Sequence, residues 1–130
     1  MPKAPAIPQP TNAELRILRV LWHDGPCTVR DVHERLRDGG SGYTTVLKLL
    51  QIMAEKGLVK RDETLRSHVY RAALPEREAK RRLVSDLVDR AFEGSAVGLV
   101  MHALESRPAS AKDLAEIRRL LDNMKAKGDV

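Results

Sequence analysis

Apolar residues in this chain recur first at helical spacing, then in two short alternating stretches, then at helical spacing again. Leu15, Leu18, Leu21 and Trp22 form the first stripe. The preceding Thr11-Asn12-Ala13-Glu14 has the form of a capping box, so the pattern predicts a helix over 12–23 that stops at Asp24-Gly25-Pro26. A second start, Thr28-Val29-Arg30-Asp31, opens a short helix over 29–37, with Val29, Val32 and Leu36 on one face and Gly39-Gly40 as the stop. The third helix, 43–56, carries Val46, Leu49, Leu50 and Met53 inward, with Gly57 placed to end it. At about 100° per residue, Thr44, Lys48, Gln51 and Glu55 gather on its opposite, polar face.

Residues 58–62 and 67–72 are short and partly alternating, and Glu63-Thr64-Leu65-Arg66 lies between them, which predicts a β-ribbon. No Asn-Gly or Asp-Gly pair lies between the two stretches, so the ribbon's loop exceeds two residues. Pro75 then suits the first position of a helix that has Glu76 and Glu78 in its first turn. Its apolar side is Leu83, Val84, Leu87, Val88, Ala91 and Phe92, ending at Gly94. A further helix over 95–106 turns Val97, Val100, Met101 and Leu104 inward before Pro108. The last begins at Ser110-Ala111-Lys112-Asp113 and repeats Leu114, Ile117, Leu121 and Met124 up to Gly128.

Composition agrees with this helical reading. Among 130 residues 17 are Leu and only 3% are aromatic, a skew that argues against a sheet-dominated sandwich, and 42% hydrophobic residues suffice for a core. Four prolines in the first ten residues read as an extended arm, so the expected organisation is arm 1–10, first domain 11–74 and second domain 75–130. The formal charge of +5 is uneven: residues 1–74 hold 12 Lys and Arg against 8 Asp and Glu, the remainder 11 against 10. A basic excess in the first domain attracts polyanions such as nucleic acid.

Other chemistry is sparse. Cys27 is alone, which excludes an intrachain disulfide and a cysteine-based zinc site and fits a reducing, cytoplasmic setting. No stretch reaches about 18 apolar residues, so no membrane insertion is expected. His33-Glu34-Arg35-Leu36-Arg37 lacks the second histidine of a zinc-protease helix, and Gly39-Gly40-Ser41-Gly42 lacks the Gly-Lys-Ser/Thr that completes a phosphate loop. A small hydrolase has no nucleophile–base pair to draw on. Cys27 reads as a buried thiol and His23 and His33 as surface imidazoles; no metal, cofactor or enzymatic activity is expected.

Three capped helices followed by a ribbon form the order of a winged helix-turn-helix, giving a mainly α protein: an N-terminal winged helix-turn-helix of three helices and a two-stranded β-wing, then a C-terminal helical dimerisation region. In that fold the third helix enters the major groove. Thr44 and Thr45 can bond phosphates or pack on a thymine methyl, Lys48 can reach guanine acceptors and Gln51 can bond adenine twice. Tyr43 either packs under the helix or gives its hydroxyl to a phosphate. Arg61, Arg66 and His68 supply contacts from the wing to neighbouring backbone or minor groove. The apolar stripes of the second half exceed what one small bundle covers, so Leu83, Leu87, Val97, Val100, Met101, Leu104, Leu114, Ile117, Leu121 and Met124 are expected to pair two copies. A homodimer on a palindrome in double-stranded operator DNA follows. An adaptor that uses the winged helix to hold another protein is the alternative, since fold alone does not fix function.

Several segments together resemble one family. Glu14-Leu15-Arg16-Ile17-Leu18-Arg19-Val20-Leu21-Trp22, Tyr43-Thr44-Thr45-Val46-Leu47-Lys48-Leu49-Leu50-Gln51, Glu55-Lys56-Gly57-Leu58-Val59 and His68-Val69-Tyr70 are similar to the BlaI/MecI/CopY family of bacterial transcriptional repressors. Gly94-Ser95 with Leu99-Val100-Met101 resembles the family's dimerisation region, so the likeness runs over about 11–125. It implies a homodimeric repressor of a palindromic operator, often controlling β-lactam resistance genes. In penicillin-responsive members it also implies release by a regulatory protease after a membrane-bound sensor is triggered. The family's Asn-Phe cleavage pair falls here on His102-Ala103, a departure from that pattern. The C-terminal Lys125-Ala126-Lys127-Gly128-Asp129-Val130 lacks the cysteines of copper-responsive members. Leu47, Lys48 and Ile52 stand where better-known members tend to have Lys, Thr and Arg, so their operator sequence does not transfer.

Overall fold

In the computed structural model, residues 9–36, 42–64 and 66–128 are described. The first eight residues of the expected arm, the Arg37 end and Gly39-Gly40 stop of the second helix, and Leu65 of the wing loop lie outside these. The elements are α1 (Asn12–Asp24), β1 (Cys27–Thr28), α2 (Val29–Leu36), α3 (Tyr43–Lys56), β2 (Val59–Asp62), β3 (Val69–Ala72), α4 (Glu76–Ala91), α5 (Ala96–Ser106) and α6 (Ala111–Gly128). Packing divides the chain into two units between Val84 and Ser85, inside α4.

The capping signals read from the sequence form as expected. Thr11 Oγ1 accepts the Glu14 N–H at 3.2 Å and Glu14 Oε1 accepts the Thr11 N–H at 2.8 Å. Thr28 and Asp31 make the same reciprocal pair at the start of α2, both bonds at 3.1 Å. At the end of α3, Gly57 takes φ 84°, its N–H reaches Ala54 O and the Leu58 N–H reaches Met53 O. That Schellman closure needs a left-handed residue, where a Cβ is costly.

In the first unit α1, α2 and α3 enclose a core of Ile17, Leu18, Leu21, Val29, Val32, Val46, Leu50, Met53, Leu58, Val59 and Tyr70. The buried stripe of α1 is rotated from the expected one: Glu14, Ile17, Leu18 and Leu21 are buried, whereas Leu15 and Trp22 pack at the core's edge. Trp22 is held there by its indole N–H, which donates to Leu74 O at 3.1 Å. Buried Glu14 meets Lys56 Nζ at 2.9 Å and so ties the start of α1 to the end of α3.

The ribbon is part of a three-stranded antiparallel sheet in the order β1-β3-β2. β2 pairs with β3 through Val59↔Ala72, Lys60↔Arg71, Arg61↔Tyr70 and Asp62↔Val69, which leaves residues 63–68 as the wing loop. The additional strand, β1, pairs Cys27 with Tyr70 and Thr28 with Val69. Two residues are too few to show alternation, so the sequence displayed only the helix start that Thr28 also provides.

In the second unit Ser95 Oγ caps α5 by accepting the Gly98 N–H at 2.9 Å, and Ser110 Oγ caps α6 by accepting the Asp113 N–H at 3.0 Å. No residue of α5 or α6 is buried in the single chain. Among the described residues no helix is long and apolar enough to cross a membrane.

Candidate nucleic-acid interface

Amphipathic spacing fixes which side of α3 is available. Val46, Leu50 and Met53 are buried, so Thr44, Lys48, Gln51 and Glu55 are forced outward and are all exposed. Thr45 is exposed as well, next to them in the first turn. The N-cap of α3 is Gly42, which has no side chain to engage the free N–H groups of that turn. Tyr43 is 48% exposed and sets its ring edge-on against His33, with centroids 5.9 Å apart.

The wing is shaped by its own polar contacts. Asp62 Oδ1 accepts the Thr64 N–H at 2.9 Å and the Thr64 hydroxyl at 2.7 Å, an Asx turn that leads out of β2. Arg61 Nη2 lies 2.6 Å from Glu63 Oε1. Hydrogen bonding with Tyr70 and the nearby Glu63 carboxylate both push the Arg61 pKa above its ordinary value, so it is a permanent cation. Arg66, Ser67 and His68 project from the exposed loop.

Between α3, the wing and the start of α2 runs a groove of about 540 Å³. Thr28, Val29 and Arg30 line it from β1 and α2, and Tyr43, Leu47 and Gln51 from α3. Arg61, Arg66, Ser67, His68 and Tyr70 line it from the ribbon and its loop. The structure therefore brings together Tyr43, Gln51, Arg61, Arg66 and His68 of the sequence-derived set, while Thr44, Thr45 and Lys48 stand on the exposed α3 face outside the groove. Thr28 and Arg30 were missed by sequence reasoning, because only the β1–β3 pairing carries them to the wing. None of the lining residues is acidic, so the groove offers cations and hydrogen-bond donors to an anion.

The groups that could do other chemistry are committed elsewhere. Burial, with the Asp31 and Asp24 carboxylates adding to it, pushes the Cys27 thiol pKa up, and Sγ donates to Gly25 O at 3.2 Å. Arg35 grips Asp24 with two bonds of 2.6 Å, and this contact together with His23 holds the Asp24 carboxyl far below its ordinary range. That cluster pins the end of α1 to α2. His23 is exposed, as expected, and His33 is half-buried beneath Tyr43. Among the described residues no group of three His, Cys, Asp or Glu side chains is arranged to hold a metal ion.

The residues assigned to pairing lie on α4, α5 and α6. Leu83 is half-buried in the first unit, lining a small apolar groove with Leu15, Leu18 and Trp22. Leu87, Val97, Val100, Met101, Leu104, Leu114, Leu121 and Met124 are exposed and Ile117 is half-buried. Val84 and Leu120 belong to the exposed apolar set too; Leu120 escaped the sequence reading because it falls outside the 3-4-3 stripe.

Comparison with known proteins gives these features a family. The penicillinase repressor family model matches residues 10–123. The penicillinase repressor of Bacillus licheniformis is 22% identical over 120 residues, covering 92% of this chain and 94% of that protein. The transcriptional regulator BlaI of Mycobacterium tuberculosis is 34% identical over 120 residues, covering 88% and 84%. A solution structure of the DNA-binding domain of the repressor BlaI aligns with TM-score 0.49 and 25% identity over 55% of this chain and 88% of that one. With the family model matching residues 10–123 and a 34%-identical relative covering 88% of the chain, this protein belongs to the penicillinase repressor family of DNA-binding, winged-helix transcriptional repressors.

Proposed function

We propose that two copies of this chain bind a palindromic operator in double-stranded DNA and repress the adjoining genes, with α3 of each copy in the major groove and the wing on the flanking backbone. The observation that carries this reading is the exposed face of α3 beside a groove lined by cations and free of carboxylates. A helix fits the major groove, and residues near its N-terminus can reach base edges while flanking cations meet phosphates. Lys48 and Gln51 read bases, Thr44, Thr45 and Tyr43 position the helix, and Arg61, Arg66 and His68 hold the backbone. The organisation into a DNA-binding domain over 11–74 and a pairing domain over 75–130 belongs to the same proposal, as does a cytoplasmic location, where the operator is. A regulatory protease is a further partner in this proposal; the position of the family's cleavage pair, occupied here by the departing His102-Ala103, lies inside α5, so cutting there requires α5 to open locally.

The test is selection of tight-binding duplexes from a random pool, followed by anisotropy titration of wild type and Lys48→Ala. Wild type binds the selected duplex more tightly than mixed-sequence DNA, and log K falls steeply with log salt. Lys48→Ala weakens binding and changes the preferred base at one position of each half-site, by about 1–3 kcal/mol of discrimination. A wild type that prefers no duplex overturns the reading in favour of the protein-interaction adaptor.

A further inference from the structure

We propose that Arg30 is a backbone-phosphate contact for duplex DNA, the cation that α2 adds to the groove between α3 and the wing; this deepens the operator-binding reading and rests on it. The β1–β3 pairing is what puts Arg30 there: Thr28 is registered against Val69, so the first turn of α2 opens next to the wing. Arg30 is exposed and lines the groove together with Arg61, Arg66 and His68, so guanidinium groups reach it from α2, β2 and the wing loop.

Arg30 is also uncommitted. Among the described residues no carboxylate lies within ion-pair distance of it, whereas Arg35 is paired with Asp24 and Arg61, though it faces the groove, shares its charge with Glu63. Its sequence neighbour Asp31 has its carboxylate occupied by the Thr28 N–H at 3.1 Å. An exposed guanidinium with no internal partner, in a groove without acidic lining, matches a phosphate, to which it can donate two parallel bonds. It stands on α2 rather than on the base-facing side of α3, so its contact is to backbone and independent of sequence.

The experiment titrates wild type, Arg30→Ala and Arg30→Lys against two labelled duplexes, one selected from a random pool and one of mixed sequence, across a salt series. Each lost phosphate contact lowers the slope of log K against log salt by about 0.9, which is about an eightfold loss of affinity per protomer at 0.1 M salt. Arg30→Ala is expected to show that loss on both duplexes, and Arg30→Lys to restore the slope. Thermal melting checks that the exposed position leaves folding intact. Unchanged affinity and slope in Arg30→Ala overturn the proposal, and so does a loss confined to the selected duplex, which marks a base contact instead. A wild type that binds neither duplex sinks the operator-binding reading itself, an outcome separate from both.

Discussion

Glu14 is a buried carboxylate in the first turn of α1, and its environment decides how the first unit responds to acid and to mutation. Burial alone pushes its pKa up, but the Thr11 N–H, Lys56 and the Thr11 hydroxyl together outweigh that and hold it below the ordinary glutamate value. A folded-state pKa below the unfolded one means that the folded form binds fewer protons. The stability from Glu14 is therefore complete at neutral pH and is lost as pH falls from about 4.3 through the lower folded-state value. Removing the partner by Lys56→Met leaves a buried carboxylate unpaired and is expected to cost about 3 kcal/mol, the low end for buried pairs, whereas Glu14→Gln, which keeps the cap and leaves a partly solvated Lys56, costs less. Urea unfolding at pH 7 measures this, and a pH series shows the acid-labile part flattened in Glu14→Gln. The capping role of Glu14 was legible in Thr11-Asn12-Ala13-Glu14. Its second role was not, because Lys56 is 42 residues away and an N3 glutamate ordinarily faces solvent. The same blind spot rotated the expected stripe of α1: counting only apolar residues placed Leu15 and Trp22 inward and overlooked that a paired Glu14 could lie beside Ile17.

Elements were readable where their ends are written in local chemistry. α3 runs from Tyr43 to Lys56 as expected, because Gly57 closes it in the left-handed conformation. Gly57→Ala keeps the space, since a Cβ meets nothing within 4 Å, but forces φ 84° on an L-residue. It is expected to cost about 1–2 kcal/mol, seen as a lower urea midpoint with an unchanged slope. Strands β2 and β3 were legible from alternation and from the polar Glu63-Thr64 between them. β1 was not, since its existence depends on Tyr70 and Val69 arriving from across the fold. The interface divides in the same way. The α3 face follows from helical geometry applied to one segment, whereas the contribution of Thr28 and Arg30 appears only once the sheet has formed. Local periodicity thus reveals what one element presents, and pairing between distant elements decides which of those surfaces meet.

At the scale of the whole molecule the question is what covers the second unit. Val97 is 72% exposed and Met124 61%, and Met101, Leu120 and Leu121 are more than half exposed, so a run of large apolar side chains on α5 and α6 faces water in the single chain. The helices themselves were legible from spacing and capping residues; their cover was not, because an apolar stripe looks the same whether it meets its own chain or another. Exposure on this scale is costly for a free monomer; the proposed association with a second copy would relieve it and would double the number of DNA-reading surfaces. Two half-sites bound at once convert the second contact into an intramolecular one, worth about 10²–10⁴ in affinity without any new contact to DNA. The double substitution Met101→Glu, Leu121→Glu places charges where two copies would bury them and leaves α3 and the wing untouched. Sedimentation equilibrium is expected to show a dimer for the wild type and a monomer for this variant. The wild-type melting temperature rises with protein concentration and the variant's does not, because only an associating fold is stabilised by mass action. Operator affinity of the variant falls by at least about 10², while its binding to a single half-site stays within a few-fold of wild type. Equal affinity of the two proteins for a full palindrome would mean that each copy reads DNA alone, and symmetry would then have no part in the selectivity of this repressor.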